Sequence, residues 1–367
     1  NSELKQYIDI TNEFVNAVMK QSHIVSGKDN LKIVYTPLHG TGNIPVRQTL
    51  KLDGFVDVTV VPEQEQPDGN FSTVKSPNPE ERTALTIGLK LAEETGADIV
   101  LGTDPDCDRV GVGVKTADGY QLLTGNQIGA LLMEFVLRHT ELKRYKRPAV
   151  VKTVVTSELG AEIAKNYGLT VFSTLTGFKF IGEKITQFES DIPEQKYSFI
   201  FGYEESYGYL AGTHARDKDA VVSSMLICEM AAECKAEGIT LIDRLNTIYE
   251  KYGCYRDALD SFTLKGKDGA ERIAQIMTEL RNNGSPIADT KDIIDYSKPV
   301  KAEPGFGELP TSNVLKFVMN DGSWIAVRPS GTEPKIKLYY SIKGNDVGEA
   351  EKRFREYQKI FVNKMGL

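Results

Sequence analysis

The stretch LKIVYTPLHGTGN, residues 31–43, joins an apolar run to a glycine-rich turn. The run Leu31–Thr36 is typical of a buried β-strand, and the turn leads into a helix. Further predicted elements are a helix over Leu4–Met19, a helix to Leu52, strand Val56–Val61, helix Glu80–Glu94, strand Ala97–Leu101 and an antiparallel edge strand Val110–Val114. Alternation of strand and helix predicts an α/β unit with a mixed, mostly parallel sheet.

The alternation then restarts, which predicts a second α/β unit of similar size, again with a mixed, mostly parallel sheet. Its predicted elements are helix Asn126–His139, strand Ala149–Val154, helix Glu158–Tyr167, strand Thr170–Ser173, helix Phe178–Phe188, strand Ser198–Gly202 and helix Lys218–Glu237.

The last third of the chain has the pattern of an α+β domain with an antiparallel sheet. Asn320-Asp321-Gly322 between two apolar runs predicts a hairpin, because Asp-Gly tolerates positive φ. Its predicted elements are strand Tyr255–Leu264, helix Gly269–Arg281, strands Val314–Met319, Ser323–Val327 and Lys335–Ser341, and a closing helix with Val347, Ala350, Phe354, Tyr357 and Phe361 facing inward. We therefore predict domains over 1–118, 119–246 and 247–367.

Composition limits the possible partners and location. The 367 residues are 40% hydrophobic and 26% charged, which excludes disordered and collagen-like classes. A net charge of −7 disfavours broad nucleic-acid binding, which needs a basic face. Apolar runs fall short of the ~18 residues that cross a bilayer, and the four cysteines lack CxxC or zinc spacing. We expect a cytoplasmic protein without nucleic-acid or membrane partners.

The sequence TDPDCDR, residues 103–109, places three carboxylates at alternating positions after a buried strand. In an extended loop Asp104, Asp106 and Asp108 point to one side, and a cation must offset their repulsion. Oxygen ligands without His or Cys favour Mg²⁺, and Arg109 is placed to contact a phosphate beside it. A solvated acidic turn is the alternative. A calcium EF-hand is excluded, because Arg109 stands where that loop needs Gly.

The sequence GYEESYG, residues 202–208, follows a strand of the second unit. Two carboxylates and a hydroxyl between glycines can hold sugar hydroxyls, so Glu204 and Ser206 are candidate ligands. Two helix starts nearby, at residues 176–179 and 216–219, present backbone N–H groups that attract anions, although ordinary caps are the alternative. The candidates for substrate binding there are Thr176, Gly177, Lys179 and Lys218.

The sequence RPSGTEP, residues 328–334, joins two predicted strands of the last domain. A guanidinium fork, two hydroxyls and a glycine that permits close backbone approach form a complete set of groups for a phosphate dianion. A plain tight loop is the alternative, but it requires neither the Arg nor the hydroxyls. The candidate phosphate ligands are Arg328, Ser330, Gly331 and Thr332.

These three motifs, in this order and at these separations, resemble the α-D-phosphohexomutase family of phosphoglucomutases and phosphomannomutases. The form GYEESYGYL with RDKDA is most similar to the bacterial phosphoglucomutase branch. The resemblance covers the whole chain. It implies that the Asp loop holds Mg²⁺, that Glu204 and Ser206 bind sugar hydroxyls, and that the Arg328 loop binds the phosphate that is not reacting.

The resemblance also implies a phosphoserine that makes a sugar bisphosphate, carried by a first domain in a loop like Thr-Ala-Ser-His-Asn-Pro. The sequence contains no such loop, and Ser76 in KSPNPE lies in what resembles the second family domain. We therefore expect domains two to four of a mutase that interconverts hexose 1-phosphate and hexose 6-phosphate, inactive alone and with no catalytic residue in this chain. Expected partners are hexose phosphate, hexose bisphosphate and the missing N-terminal domain.

Three other functions compete with this interpretation. One is a non-catalytic sugar-phosphate-binding protein derived from a mutase, and another is a phosphopentomutase. The third is a phosphatase that uses an aspartate of the D-x-D loop as nucleophile. This function is disfavoured because the loop of such enzymes follows the first strand of the domain, whereas here it follows the last predicted parallel strand.

Overall fold

The computed structural model describes residues 8–331 and 333–367, which form three units, each built around one main sheet. The first unit contains α1 (Thr11–Met19), β1 (Lys32–Thr36), α2 (Asn43–Leu52), β2 (Asp57–Val60), α3 (Pro62–Glu65), α4 (Thr86–Thr95), β3 (Ile99–Thr103), β4 (Val110–Thr116) and β5 (Gly119–Leu122). Its sheet order is β2-β1-β3-β4-β5. The β1 strand pairs in parallel with β2 and β3, whereas β4 and β5 run antiparallel, which confirms a mixed sheet.

Three predictions for the first unit were wrong in detail. The helix predicted over Leu4–Met19 begins at Thr11, and the part of that prediction at residues 4–7 lies outside the described residues. The strand at Val110–Val114 is antiparallel but not at the edge, because β5 pairs with its outer side. The helix predicted from Glu80 begins at Thr86 instead. Residues 78–85 form successive turns with bonds between residues three apart, and Asn78 Oδ1 accepts the Glu80 N–H at 3.0 Å, a local side-chain bond that competes with helix.

The second unit repeats the α/β arrangement. It contains α5 (Gly125–His139), β6 (Pro148–Thr153), α6 (Glu158–Asn166), β7 (Thr170–Thr174), α7 (Phe178–Phe188), β8 (Ser198–Glu204), β9 (Gly208–Ala211), α8 (Ala220–Ala236) and α9 (Leu241–Tyr252), with single 3₁₀ turns at Leu142–Arg144 and Pro193–Gln195. Its sheet order is β7-β6-β8-β9, and only β9 is antiparallel to its neighbour.

Helix α8 joins the first two units. It is buried on almost every side and contacts β3 and β4 of the first sheet and β9 of the second. Side chains of both units belong to one continuous apolar core. The β5 strand extends the first sheet past residue 118, and α9 runs through residue 246, so the division into domains at those residues stays a prediction.

The third unit is the predicted α+β fold. It contains β10 (Cys254–Thr263), α10 (Gly266–Asn283), β11 (Thr290–Asp295), β12 (Val300–Lys301), β13 (Glu308–Leu309), β14 (Leu315–Met319), β15 (Trp324–Pro329), β16 (Lys335–Gly344) and α11 (Val347–Met365). Its antiparallel sheet has the order β10-β16-β15-β14-β11, and α10 and α11 pack on one face. The Asp-Gly turn is a three-residue loop with Gly322 at φ 88°. Val347 is 59% exposed, contrary to the predicted inward face, because it is the first residue of α11.

Among the described helices, we find none with the length and apolar character required to cross a bilayer.

Candidate functional site

The acidic loop between β3 and β4 brings its three aspartates together. Oδ1 of Asp104 accepts the backbone N–H groups of Asp108 at 3.0 Å and Arg109 at 2.9 Å, which curls the loop. One carboxylate oxygen each of Asp104, Asp106 and Asp108 lies within 4.8 Å of the other two. Cys107, at φ 60°, points into the apolar core below.

Two cations face these carboxylates. Arg109 Nε lies 3.6 Å from Asp108 and 3.8 Å from Asp104, and its Nη1 donates to Glu80 at 2.9 Å. Lys218 Nζ lies 2.7 Å from Oδ2 of Asp108. Burial and the nearby Asp108 and Asp106 raise the pKa of Asp104 to about 7. Burial opposes the charge of Lys218, but the bonds to Asp108 and Asp217 outweigh it and raise the pKa of that ammonium group.

The acidic loop fits a divalent cation of the hard type. Its donors are carboxylate oxygens only, as Mg²⁺ prefers. Oδ1 of Asp108 is buried and accepts no hydrogen bond from the described residues, so a ligand position remains available there. Asp104, Asp106 and Asp108 are therefore the residues that would hold the ion.

The glycine-rich turn after β1 supports the acidic loop from below. Thr41 N–H donates to the Pro105 carbonyl at 2.8 Å. A Cβ at Gly40 would stand 2.4 Å from Pro105 Cα, so only glycine permits this approach. Sequence analysis used this turn only to place a strand and a helix, and it missed the supporting role.

The glutamate loop is the tip of the β8–β9 hairpin. Glu204 is 5% exposed, and its Oε1 accepts the Gly177 N–H at 2.7 Å, so the N-terminus of α7 points at this carboxylate. Burial, followed by the charge of Glu205, raises the pKa of Glu204 to about 7. Glu205 in turn accepts the Thr156 hydroxyl at 3.2 Å.

The acidic and glutamate loops are in contact. Val110 N–H donates to the Tyr207 carbonyl at 3.1 Å, and Arg109 forms a bridge with Gly208. The Lys218 side chain crosses Gly208 on its way to Asp108, and a Cβ there would stand 2.0 Å from Lys218 Cδ. The second unit thus places a cation against the acidic loop of the first.

The predicted phosphate loop connects β15 to β16. Arg328 and Lys337 are direct partners on these strands, and both line the cavity described below. Like charges directly opposite each other destabilise a sheet, so this pair favours an anion between them. Ser330 N–H donates to the Lys335 carbonyl at 2.8 Å, and Gly331 is exposed. Thr332 lies outside the described residues.

One cavity of about 660 Å³ brings residues of all three units together. The predicted site residues in its lining are Arg109, Thr176, Gly177, Glu204, Ser206, Lys218 and Arg328. The acidic loop adjoins this lining through Arg109 and Lys218, while Ser330 and Gly331 follow Arg328 outside it. Lys179 is exposed on α7, with its ammonium 4.9 Å from the Phe180 ring centre, and it is not in the lining.

Sequence analysis missed several lining residues, which are Glu80, Asn126, Asp257, Lys337 and Tyr339. Lys337 had a usable signal, because it alternates with the buried Ile336 and Leu338 and so faces away from their core. Asp257 had none, since only the fold places it by the second unit. Burial raises the pKa of Asp257 to about 6.

Comparisons with known proteins agree with the predicted family. Models of the phosphoglucomutase/phosphomannomutase family match residues 12–119 (alpha/beta/alpha domain II), 124–252 (alpha/beta/alpha domain III) and 267–352 (C-terminal domain). Phosphoglucomutases of Staphylococcus aureus strains MRSA252 and N315 are each 38% identical over 338 residues, 89% of this chain and 59% of theirs. The chain thus spans less than two thirds of the length of these relatives.

Two solved structures share the fold. The phosphoglucomutase parafusin of Paramecium, in an open form, aligns with a TM-score of 0.73 at 16% identity, over 100% of this chain and 66% of its own. A phosphoglucomutase/phosphomannomutase family protein of Burkholderia thailandensis aligns with a TM-score of 0.67 at 17% identity, over 98% and 65%. These likenesses confirm the architecture of two mixed α/β units followed by an antiparallel α+β unit.

Proposed function

Because the chain belongs to the phosphoglucomutase/phosphomannomutase family, we propose that it forms the metal-, sugar- and phosphate-binding part of a hexose-phosphate mutase. The reaction interconverts hexose 1-phosphate and hexose 6-phosphate through a phosphoserine and a bisphosphate sugar. The observation that carries this proposal is the shared cavity, where cations of the third unit and cations beside the acidic loop line one space with the glutamate loop.

Each group of residues has one role in this proposal. Arg328 and Lys337 bind the phosphate that is not reacting, and Arg328 can present a bidentate fork. Glu204 and Ser206 bind sugar hydroxyls in either orientation of the bisphosphate. Arg109 and Lys218 lie beside the acidic loop and offset charge on the second phosphate. Mg²⁺ held by Asp104, Asp106 and Asp108 would supply further positive charge to the transferring phosphoryl group.

Calorimetric titration of this chain with glucose 1,6-bisphosphate tests the proposal. A ligand that contacts two units must order them, so we expect an affinity on the order of millimolar. Arg328→Ala should weaken binding by ~1.5–3 kcal/mol, the worth of a charge-assisted contact, and Arg328→Lys should recover only part of it.

Arg355→Ala is the matched control, because Arg355 is exposed on α11 and pairs with Glu351. It should bind as the parent chain does. If Arg328→Ala also binds as the parent does, the loop is a plain turn and the proposed site is wrong.

A further inference from the structure

A hairpin of the third unit reaches over to the second unit. Between β11 and β14 the chain leaves the main sheet and forms the two-stranded pair β12–β13, and we name residues 300–309 the clasp. Its tip is closed by bonds from Ala302 N–H to the Gly307 carbonyl at 2.9 Å and from Phe306 N–H to the Glu303 carbonyl at 3.0 Å.

Phe306, at the tip of the clasp, lies in an aromatic pocket of the second unit. Its ring centre is 5.0 Å from that of Phe172, 5.8 Å from Phe188 and 6.1 Å from Tyr197. Lys184 Nζ lies 3.9 Å from the Phe306 ring centre, which adds a cation–π contact. Aromatic rings of the second unit thus surround the Phe306 ring, and the Lys184 ammonium lies over its face.

Polar contacts fix the direction of the clasp. Glu303 Oε1 accepts the backbone N–H of Ser173 at 2.9 Å. Ser173 lies in β7, the outer strand of the second sheet, so this bond occupies a donor of its open edge. Gln195 Nε2 donates to the Gly305 carbonyl at 2.9 Å.

A separate apolar contact joins the same two units nearer the cavity. Trp324 and Ala326 of β15 pack with Val155 and Leu175 of the second unit. Arg328 is the next residue on that face of the strand, and it lines the cavity. Any tilt of the third sheet about this contact therefore moves Arg328 and Lys337 relative to Glu204 and Ser206.

We propose that the clasp sets the angle of the third unit over the cavity and that Phe306 is a positioning residue for ligand binding. The inference rests on the proposed function, since it concerns a ligand that contacts the second and third units at once. The chain passes from α9 to β10 at Gly253, with φ 102°, so the angle depends on contacts such as those of Phe306. A fixed angle keeps the Arg328 side of the cavity close to the Glu204 side, so a ligand bound to one side meets the other at a higher effective concentration.

The test compares two probes on the parent chain and Phe306→Ala. Glucose 1,6-bisphosphate, which spans both units, should bind about tenfold more weakly to the variant, whereas inorganic phosphate, which needs only the Arg328 side, should bind unchanged. Phe306→Tyr should restore binding, because an aromatic ring again fills the pocket. Phe262→Ala is the matched control, since Phe262 packs on the third unit's own core.

Hydrogen exchange supplies a second measurement that needs no ligand. The Ser173 amide should exchange faster in Phe306→Ala and in Glu303→Ala, which removes its acceptor, than in the parent chain. If the parent binds no bisphosphate, the proposed function fails and the positioning role fails with it, whereas a faster Ser173 amide in Phe306→Ala would still show that Phe306 holds the clasp against β7. If the parent binds bisphosphate and Phe306→Ala binds it equally well, the clasp has no positioning role. Equal losses for both probes would also overturn it, because they indicate general destabilisation.

Discussion

Asp106 is the most exposed member of the aspartate cluster, and its role can be tested alone. Asp106→Asn keeps the size of the side chain but removes one charge from the ligand set, on which the affinity for a hard cation depends. We expect Mn²⁺ binding, followed by calorimetry, to be weak and saturable in the parent and at least about tenfold weaker in the variant.

Asp118→Asn is the control for this titration, because Asp118 is exposed in the turn before β5. It should leave Mn²⁺ affinity unchanged. Equal affinity in Asp106→Asn and the parent would remove the acidic loop from the metal site.

Glu204 should make stability depend on pH. Its pKa is raised to about 7 in the folded chain, against about 4.3 in an unfolded chain. The folded chain therefore binds the Glu204 proton more tightly than the unfolded chain does. The stabilisation that this gives is fully present below about pH 4.3 and is lost as the pH rises through 7. Glu204→Gln cannot ionise and still offers an oxygen to the Gly177 N–H.

Urea unfolding at pH 5 and pH 8 measures this effect. Glu204→Gln should raise the unfolding free energy more at pH 8 than at pH 5, by an amount on the order of 2 kcal/mol, because only at pH 8 does the parent bury an ionised Glu204. Glu81→Gln, at an exposed glutamate, should show no such difference. A gain that is the same at both pH values would show that burial does not perturb Glu204.

Site residues could be predicted where the spacing of a few neighbouring residues indicates their chemical role. The aspartates at 104, 106 and 108 follow from alternation in a loop, and the cavity position of Arg328 agrees with its motif. Glu80 was placed in a helix, and its pairing with Arg109 depends on how a turn segment packs beside β4. Such pairings between residues far apart in the sequence have no local signal.

At the scale of elements, Lys28 links three segments of the shared core. Its ammonium lies 2.7 Å from Asp53 at the end of α2 and 3.0 Å from Glu229, which is fully buried on α8. Lys28→Met leaves two buried carboxylates without this cation. We expect a loss of ~3–5 kcal/mol in unfolding free energy, measured by urea denaturation.

Two further variants test this assignment. Lys28→Met combined with Glu229→Gln should recover part of the loss, because one of the two carboxylates is then neutral. Lys51→Met, at an exposed position on α2, should change stability little. If Lys28→Met is as stable as Lys51→Met, the buried ion cluster does not hold these segments together.

Elements with a clear apolar period were predicted well, whatever their length, and elements with a weak or overlooked signal were missed. Helix α7 begins and ends at the predicted residues because its apolar residues repeat with a clear helical period. Strands β9 and β11 were missed, since β9 has only four residues and β11 is exposed along much of its length. Helix α9 had a signal that was overlooked, the reciprocal cap between Thr240 and Asp243.

For the whole molecule, we predict that these 367 residues show no conversion of glucose 1-phosphate to glucose 6-phosphate, even with glucose 1,6-bisphosphate present. The sequence contains no loop like Thr-Ala-Ser-His-Asn-Pro, and Ser76 bonds to Glu81 rather than lining the cavity. A coupled dehydrogenase assay measures this. Turnover that Ser76→Ala abolishes would show that Ser76 is the phosphoryl carrier.

The order of the units was predictable, but their packing was not. Motif order along the chain predicted the acidic, glutamate and phosphate loops in succession. That they meet at one cavity depends on α8 between two sheets and on the Trp324 face of β15, which are matches of shape between distant surfaces.

The core shared through α8 has an evolutionary consequence. A destabilising substitution in that helix damages the acidic and glutamate loops together, so these two sites should accumulate change as one module. The third unit has its own core and joins the others through a smaller apolar cluster, the clasp and the packing of β10, with Tyr255, on α6 and α9. Selection can therefore alter the phosphate-binding unit, or exchange it for a related one, with little effect on the rest.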